Sequence, residues 1–380
     1  MLYLLIYKYG PITKKEIIER TKIKKTTLVR MLDELLENKF IKESGYLESS
    51  VGRRPILYDI QEDINYIIGI HITRMKMSIV LLNLKCKQIT QESFKMTTMH
   101  TPDFCLMLIQ RSIQGFMEKY HFGTDDLLGI GVAAIGPLNY EEGIIIEPEF
   151  FLAPNWRNVP IVRMIQDMFP VKVIMQKGAN AGVMAEYHET KFNHKNILYL
   201  VSGGWVIDCG VLINGTVLHD QYADAGAYAH MIIDADGKEC FCGKKGCMIA
   251  YTSFKNILHE LKEENIMLGN ISEELLQKAS PTDMVEYFKQ GDQLIQEVIL
   301  RSTHYLSVGL SNLIHLFNPE LVVLNGPFIY EIDGYYEQIV KNTKQNLHIK
   351  RDLQFSQGTY KENTAAMGAA ILLFNSYFEE

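Results

Sequence analysis

The stretch HMIIDADGKECFCGKKGC, residues 230–247, decides how the chain is read. Three of the six cysteines fall inside eight residues as C-x-C-x4-C, and a histidine stands ten positions ahead of the first. Two thiolates one residue apart, a third beyond a glycine-containing turn and one imidazole make a Cys3His set, which suits a tetrahedral zinc ion. Gly243 and Gly246 flank Lys244 and Lys245 and give the backbone the freedom to return the third sulfur to the first two. Four protein donors leave no open coordination position. The spacing therefore predicts a closed, structural zinc on His230, Cys240, Cys242 and Cys247. The competing reading is three buried thiols or a disulfide.

Outward from that loop, 380 residues give room for two or three domains with an ordinary core. A hydrophobic share of 47% and a charged share of 22% are those of a soluble globular protein. The apolar run from Met1 to Tyr7 is too short to span a membrane and lacks both a basic lead-in and a small-residue cleavage site. No transmembrane helix or export signal is expected, which places the chain in the cytoplasm, where reduced cysteines favour metal over disulfide. Cys86, Cys105 and Cys209 stand alone in apolar surroundings and read as core. Charge is uneven: residues 1–60 hold 12 Lys+Arg against 8 Asp+Glu, a balance of +4, whereas the whole chain is −7, so the remainder carries −11. A basic cap on an acidic body points to a nucleic-acid module joined to a unit that does not touch nucleic acid.

Residues 1–60 spell out such a module. Thr13 followed by Glu16 is a capping box, so a helix runs from Lys14 to about Thr21. A short apolar helix, Leu2 to Lys8, precedes it, and after a turn at Lys22 to Lys24 a third helix begins near Thr26, with Leu28, Leu32, Leu35 and Leu36 facing inward. Helix, helix, short turn, helix is a helix-turn-helix. The extended runs 41–44 and 56–60, with Gly52, Arg53, Arg54 and Pro55 between them, close a winged helix. Lys24, Lys25, Thr26, Thr27 and Arg30 lie at the exposed start of the third helix, the end that enters a major groove. Arg53 and Arg54 on the wing suit the backbone or the minor groove. A three-helix protein-interaction domain with a solvated basic face is the competing reading.

From Tyr66 the pattern changes to strands 67–72, 76–82 and 88–95, then a helix 103–120 and a strand 127–134. A helix 162–168, a strand 171–175 and a helix 180–190 follow. The series then restarts with strands 197–201 and 209–213, long helices including 292–317, and a strand 321–324. Two related α/β lobes with a cleft between them are expected.

Together these residues resemble the ROK family (repressors, open reading frames, kinases). Gly226 to His230 followed by the cysteine run matches the family's zinc signature. Gly136-Pro137, the Ala-Pro-Asn-Trp run of 153–156, Asn325-Gly326 and the Ala-rich run 365–370 match weaker landmarks. The Gly-Arg-Arg-Pro run 52–55 after a winged helix is similar to the branch of xylose and N-acetylglucosamine regulators. The resemblance implies an actin-like, two-lobed body of the sugar-kinase type behind the DNA module. It also implies a homodimer or tetramer on a pseudo-palindromic double-stranded DNA operator, and release by a sugar, a sugar phosphate or a protein partner.

Against the family's kinases the active site is altered. The Asn-Asp-x-Asn segment that supplies the catalytic base reads Lys177, Gly178, Ala179, Asn180, so no carboxylate is there to take a proton. His71 stands where the first phosphate loop has aspartate, and Trp205, Val206 and Asp208 stand in the second loop, where amides must approach phosphate. Two carboxylates that hold sugar hydroxyls are replaced by Ala227 and Ile249. The expected protein is not an enzyme. The residues left to line an effector cleft are Asn155, Lys177, Asn180 and His230, and Lys177 either meets an anionic ligand or fills the cleft and pairs with Asp208. The expected domains are a winged helix over 1–60, a first lobe over 61–190 with a C-terminal helix of about 363–380 packed on it, and a second lobe over 191–362. The rivals are a ROK sugar kinase with an appended DNA-binding module and a regulator controlled by a protein partner.

Overall fold

The computed structural model describes residues 2–47, 54–148, 151–202, 204–205, 207–219, 227–268, 280–348 and 352–378. Helix α1 (Leu2–Tyr9) leads through a two-residue strand β1 (Ile12–Thr13) to helices α2 (Lys14–Thr21) and α3 (Lys25–Glu37). Thr13 Oγ1 accepts from the Glu16 amide at 3.3 Å, and Glu16 Oε2 accepts from the Thr13 amide at 2.8 Å, so the capping box starts α2. Lys22, in the left-handed region at φ 58°, stops it. Leu28 and Leu32 are fully buried, and Leu35 and Leu36 pack at the margin of the same cluster. Strands β2 (Ile41–Tyr46) and β3 (Ile56–Ile60) pair antiparallel, and β1 adds to the other side of β3. Strand β1 is too short to carry a periodic signal and was not anticipated. Arg53 and Gly52 of the expected wing lie outside the described residues.

The first lobe is an antiparallel meander of β4 (Tyr66–Ile72), β5 (Lys76–Asn83) and β6 (Gln88–Lys95), followed by helix α4 (Pro102–Tyr120) and β7 (Leu127–Ala134). A small hairpin of β8 (Leu138–Asn139) and β9 (Ile144–Ile145) precedes α5 (Ile161–Met168), β10 (Lys172–Lys177) and α6 (Gly178–Glu189). The second lobe starts with β11 (Ile197–Val201), β12 (Asp208–Ile213) and β13 (Thr216–Val217). Helices α7 (Ile249–Thr252), α8 (Phe254–Leu268), α9 (Pro281–Lys289) and α10 (Gln293–Phe317) come next. Strand β14 (Leu321–Asn325), helices α11 (Pro327–Glu331) and α12 (Tyr335–Asn346), strand β15 (Gln354–Ser356) and helix α13 (Thr364–Asn375) follow.

Strand order is β10-β7-β4-β5-β6 in one sheet and β13-β12-β11-β14-β15 in the other. Numbered within each lobe, both trace the same path: three antiparallel strands, then two that return parallel beside the first. Strand β14, paired parallel on both sides, is buried throughout and reads as an unbroken apolar run from Leu321 to Leu324. One boundary differs from expectation. Strand β10 continues to Lys177 and α6 starts at Gly178, because Gln176 Oε1 accepts from the Lys177 amide at 2.8 Å and from Asn180 Nδ2 at 3.3 Å. That carboxamide organises the helix start, so Lys177 and Asn180 sit on a strand end and a first helical turn rather than on a loop.

Helix α13 lies directly on the first sheet. A Cβ at Gly69 would stand 2.0 Å from the Ala366 carbonyl oxygen and one at Gly131 2.0 Å from that of Ala369, so only glycine admits the helix at this distance. The same helix meets α1: Phe374 lies 5.1 Å from the Tyr7 ring, and Tyr3 stacks on Phe378 at 5.1 Å. The Tyr7 hydroxyl hydrogen-bonds with His188 Nε2 on α6, and Lys85 pairs with Asp59 at 2.7 Å. Leu2, Tyr3 and Ile6 thus share one apolar cluster with Val80, Leu82, Met367 and Phe374. No described helix is long and apolar enough to cross a membrane.

Candidate functional site

The cysteine loop folds as a short ladder. Ile232 bridges to Cys247 and Glu239 to Lys245. The Cys240 amide donates to the Lys244 carbonyl at 2.8 Å, closing the turn that carries Cys242. Gly246, at φ 72°, has no room for a side chain: a Cβ would stand 1.5 Å from the Asp234 carbonyl oxygen. His230, Cys240, Cys242 and Cys247 converge so that their donor atoms lie within 4.8 Å of one another. Cys240 Sγ is 3.5 Å from His230 Nδ1 and Cys242 Sγ is 3.7 Å from Cys247 Sγ. With metal–sulfur bonds of about 2.3 Å and metal–nitrogen bonds of about 2.0–2.1 Å, a tetrahedron has S–S edges of about 3.8 Å and S–N edges of about 3.5 Å. The donor set fits such an ion, and every cysteine of the chain is free of disulfide. Beyond Cys247 the chain is buried through α7, and Met248 fills the place beside Gly309 of α10, so the loop is anchored to the longest helix.

The cleft between the sheets is built differently. His71 pairs with Ala133, and Ala133 with Gln176, so the two polar side chains leave the same face of the first sheet across a small residue. A Cβ on Gly178 would lie 3.0 Å from His71 Nε2. The imidazole therefore occupies the room a larger residue at 178 would need, and two of the departures from the kinase pattern face each other. Burial, with a contribution from the Lys76 charge, pushes His71 down to about 4, so the ring is neutral at ordinary pH.

Lys177 is 1% exposed. Its ammonium lies 3.4 Å from Asp208 Oδ1, donates to the Cys209 carbonyl at 3.3 Å and stands 5.7 Å from the centre of the Tyr228 ring. Gln176 Nε2 donates to His219 Nδ1 at 3.4 Å, and Trp205 Nε1 donates to Met75 Sδ at 3.3 Å. The structure thus brings Lys177 and Asn180 together around Gln176, whereas Asn155 sits on an exposed turn at φ 72° and His230 belongs to the metal cluster. Among the described residues no recorded contact joins Asn155 to Lys177 or Asn180. Gln176, His219, Tyr228 and the Trp205–Met75 contact were missed by sequence reasoning. An indole in place of a phosphate-binding glycine was the available signal for Trp205.

The third surface is the start of α3. Lys24, Lys25, Thr26, Thr27 and Arg30 are all exposed, and no side chain caps the first turn of the helix. Among the described residues none of these three cations forms an ion pair. Arg54 is exposed beside β3, while Arg53 and Val206 lie outside the described residues.

Comparison with known proteins places this geometry. The chain is 26% identical to a xylose repressor of Caldicellulosiruptor bescii over 377 residues, covering 96% of this chain and 93% of that protein. The crystal structure of a ROK family transcriptional regulator, a homologue of the E. coli MLC protein, superposes with a TM-score of 0.78 at 22% identity, over 98% of this chain and 95% of that one. A ROK hexokinase from Thermus thermophilus superposes with a TM-score of 0.68 at 19% identity, over 83% of this chain and 100% of the kinase. The family model described as ROK matches residues 67–375, and the chain belongs to the ROK family.

Proposed function

We propose that the protein is a DNA-binding transcriptional regulator, a repressor of carbohydrate-metabolism genes, whose kinase-like body performs no phosphoryl transfer. One observation carries the reading. The hexokinase is matched whole within 83% of this chain, whereas the xylose repressor aligns along 96% of it, and the extra unit here carries the exposed cations of α3. In this reading residues 1–60 form the DNA-binding domain, 61–190 with α13 the first lobe, and 191–362 the second. Lys24, Lys25, Thr26, Thr27 and Arg30 meet the major groove, and Arg53 and Arg54 the neighbouring backbone or minor groove. A homodimer presents two such helices to a pseudo-palindromic operator in the cytoplasm. His230, Cys240, Cys242 and Cys247 hold a structural zinc, which supplies rigidity to the loop and no chemistry.

Selection of sheared genomic DNA by the purified protein tests this directly. Enrichment of one pseudo-palindromic site, weakened by Arg30→Ala and by Arg54→Ala, is the expected result. Equal recovery of all fragments, with neither substitution having an effect, overturns it. The hexokinase fold match keeps one rival in view, and an ADP-coupled assay over common hexoses separates the two: no turnover is expected. Gly178 offers no carboxylate, and the His71 ring beside it is neutral.

A further inference from the structure

We propose that Lys177 is a built-in occupant of the interlobe cleft: paired with Asp208, it takes the place of a bound effector and latches the two lobes closed. The inference rests on reading the body as the regulatory half of a repressor and concerns how that half is set. Lys177 is the last residue of β10 in the first sheet, and Asp208 is the first of β12 in the second. An ammonium with 1% of its surface exposed has lost its water and must be repaid by acceptors of fixed position. The Asp208 carboxylate, the Cys209 carbonyl and the Tyr228 ring are such partners, and all three belong to the second lobe. Helix α6, which follows Lys177, packs on β12 with the Ala179 carbonyl against Gly210, so the pair stands beside the place where the lobes join, and movement of β12 away from the end of β10 would strip these partners from the cation.

Two further contacts cross the same gap at other points, Trp205 to Met75 and Gln176 to His219. The neighbouring position reinforces the pairing. Gly178 places no carboxylate beside Lys177 to compete with Asp208, and His71 fills the space it leaves. A free sugar holds two lobes together only while it is bound. A lysine carried on the strand itself is present at all times, so a neutral sugar entering the cleft would have to displace a buried charge pair and has no charge with which to replace it. The latch therefore makes the closed form independent of neutral sugars.

Amide hydrogen exchange on the full-length protein tests this, comparing the wild type with Lys177→Met and Asp208→Asn. Removing the latch should speed exchange about tenfold or more on both sides of the cleft, in β12 and in the turn between β4 and β5, while the loop 238–247 stays as protected as in the wild type. D-xylose in millimolar excess should leave wild-type exchange unchanged. Unaltered protection of β12 in both variants overturns the latch, and slower wild-type exchange on adding D-xylose overturns the self-occupied cleft. Should Lys177→Met fail to fold, Asp208→Asn, at a partly exposed position, gives the same reading. Failure of the DNA selection would remove the repressor reading and leave these exchange results standing.

Discussion

The cysteine loop and the interlobe cleft are both places where several polar side chains converge, and they converge on different things. In the loop, one imidazole and three sulfurs approach a common point at tetrahedral spacing, and no salt bridge satisfies them. In the cleft the groups approach one another: ammonium to carboxylate, carboxamide to imidazole, indole to thioether. A constellation that awaits a ligand leaves its donors aimed at a shared position, whereas one that has abandoned a ligand turns its groups into each other's partners. That contrast separates groups aimed at a common point from groups that pair with one another, without appeal to any reaction.

Removing the metal should test the contrast most strongly. Elemental analysis is expected to find one zinc per chain, and Cys247→Ser should lose it with a stability cost of several kcal/mol, a fall in Tm on the order of 10 °C. Equal Tm with and without a chelator would return the loop to three free thiols. Lys177→Met comes next, because breaking a buried pair from one side costs about 3–5 kcal/mol. A loss below about 1 kcal/mol in urea unfolding would be the value of an exposed pair and would deny that the cleft groups serve each other.

A third test uses pH at the contact between α1 and α6. His188 is pushed down to about 4 by burial, its Nε2 hydrogen-bonds with the Tyr7 hydroxyl, and its Nδ1 has no partner among the described residues. The unfolded ring binds a proton near 6.5, so between about 6.5 and 4 the unfolded chain holds more protons than the folded one. The stability contributed by a neutral His188 is complete above about 6.5 and is lost as pH falls through that window, on the order of 2–3 kcal/mol. His188→Gln should flatten this part of the Tm profile relative to wild type, and parallel profiles would show that the ring titrates freely. The smallest effect is expected at the DNA face. Lys25→Ala should weaken binding about equally on all sequences and reduce the salt slope by about one, and an unchanged slope would take Lys25 off the phosphates.

What was legible in the sequence follows the distance between partners. The metal donors lie within 18 residues and the capping box within four, so spacing alone brings them together. The duplicated sheet path was visible as a repeated strand-then-helix order, though β1 was too short to register. Lys177 and Asp208 stand 31 positions apart, and their pairing was one of two options that only the family resemblance raised. Trp205 and Met75 are 130 positions apart, and no local rule joins an indole to a thioether at that separation. The start of α6 was misplaced by two residues because its N-cap is Lys177, which makes no side-chain cap and carries none of the usual Ser, Thr, Asp or Asn signature.

The contact between α1 and α13 also sets an order of events during synthesis. Helix α1 leaves the ribosome well before α13, yet the faces of Leu2, Tyr3 and Ile6 are covered in part by Met367 and Phe374, which are made roughly 360 residues later. At about 5–20 residues per second the nascent N-terminal helical unit waits on the order of tens of seconds with one apolar face uncovered. A chain cut short before Thr364 would lose the covering of that face along with the helix on its first sheet. The N-terminal helical unit is completed only when α13 arrives.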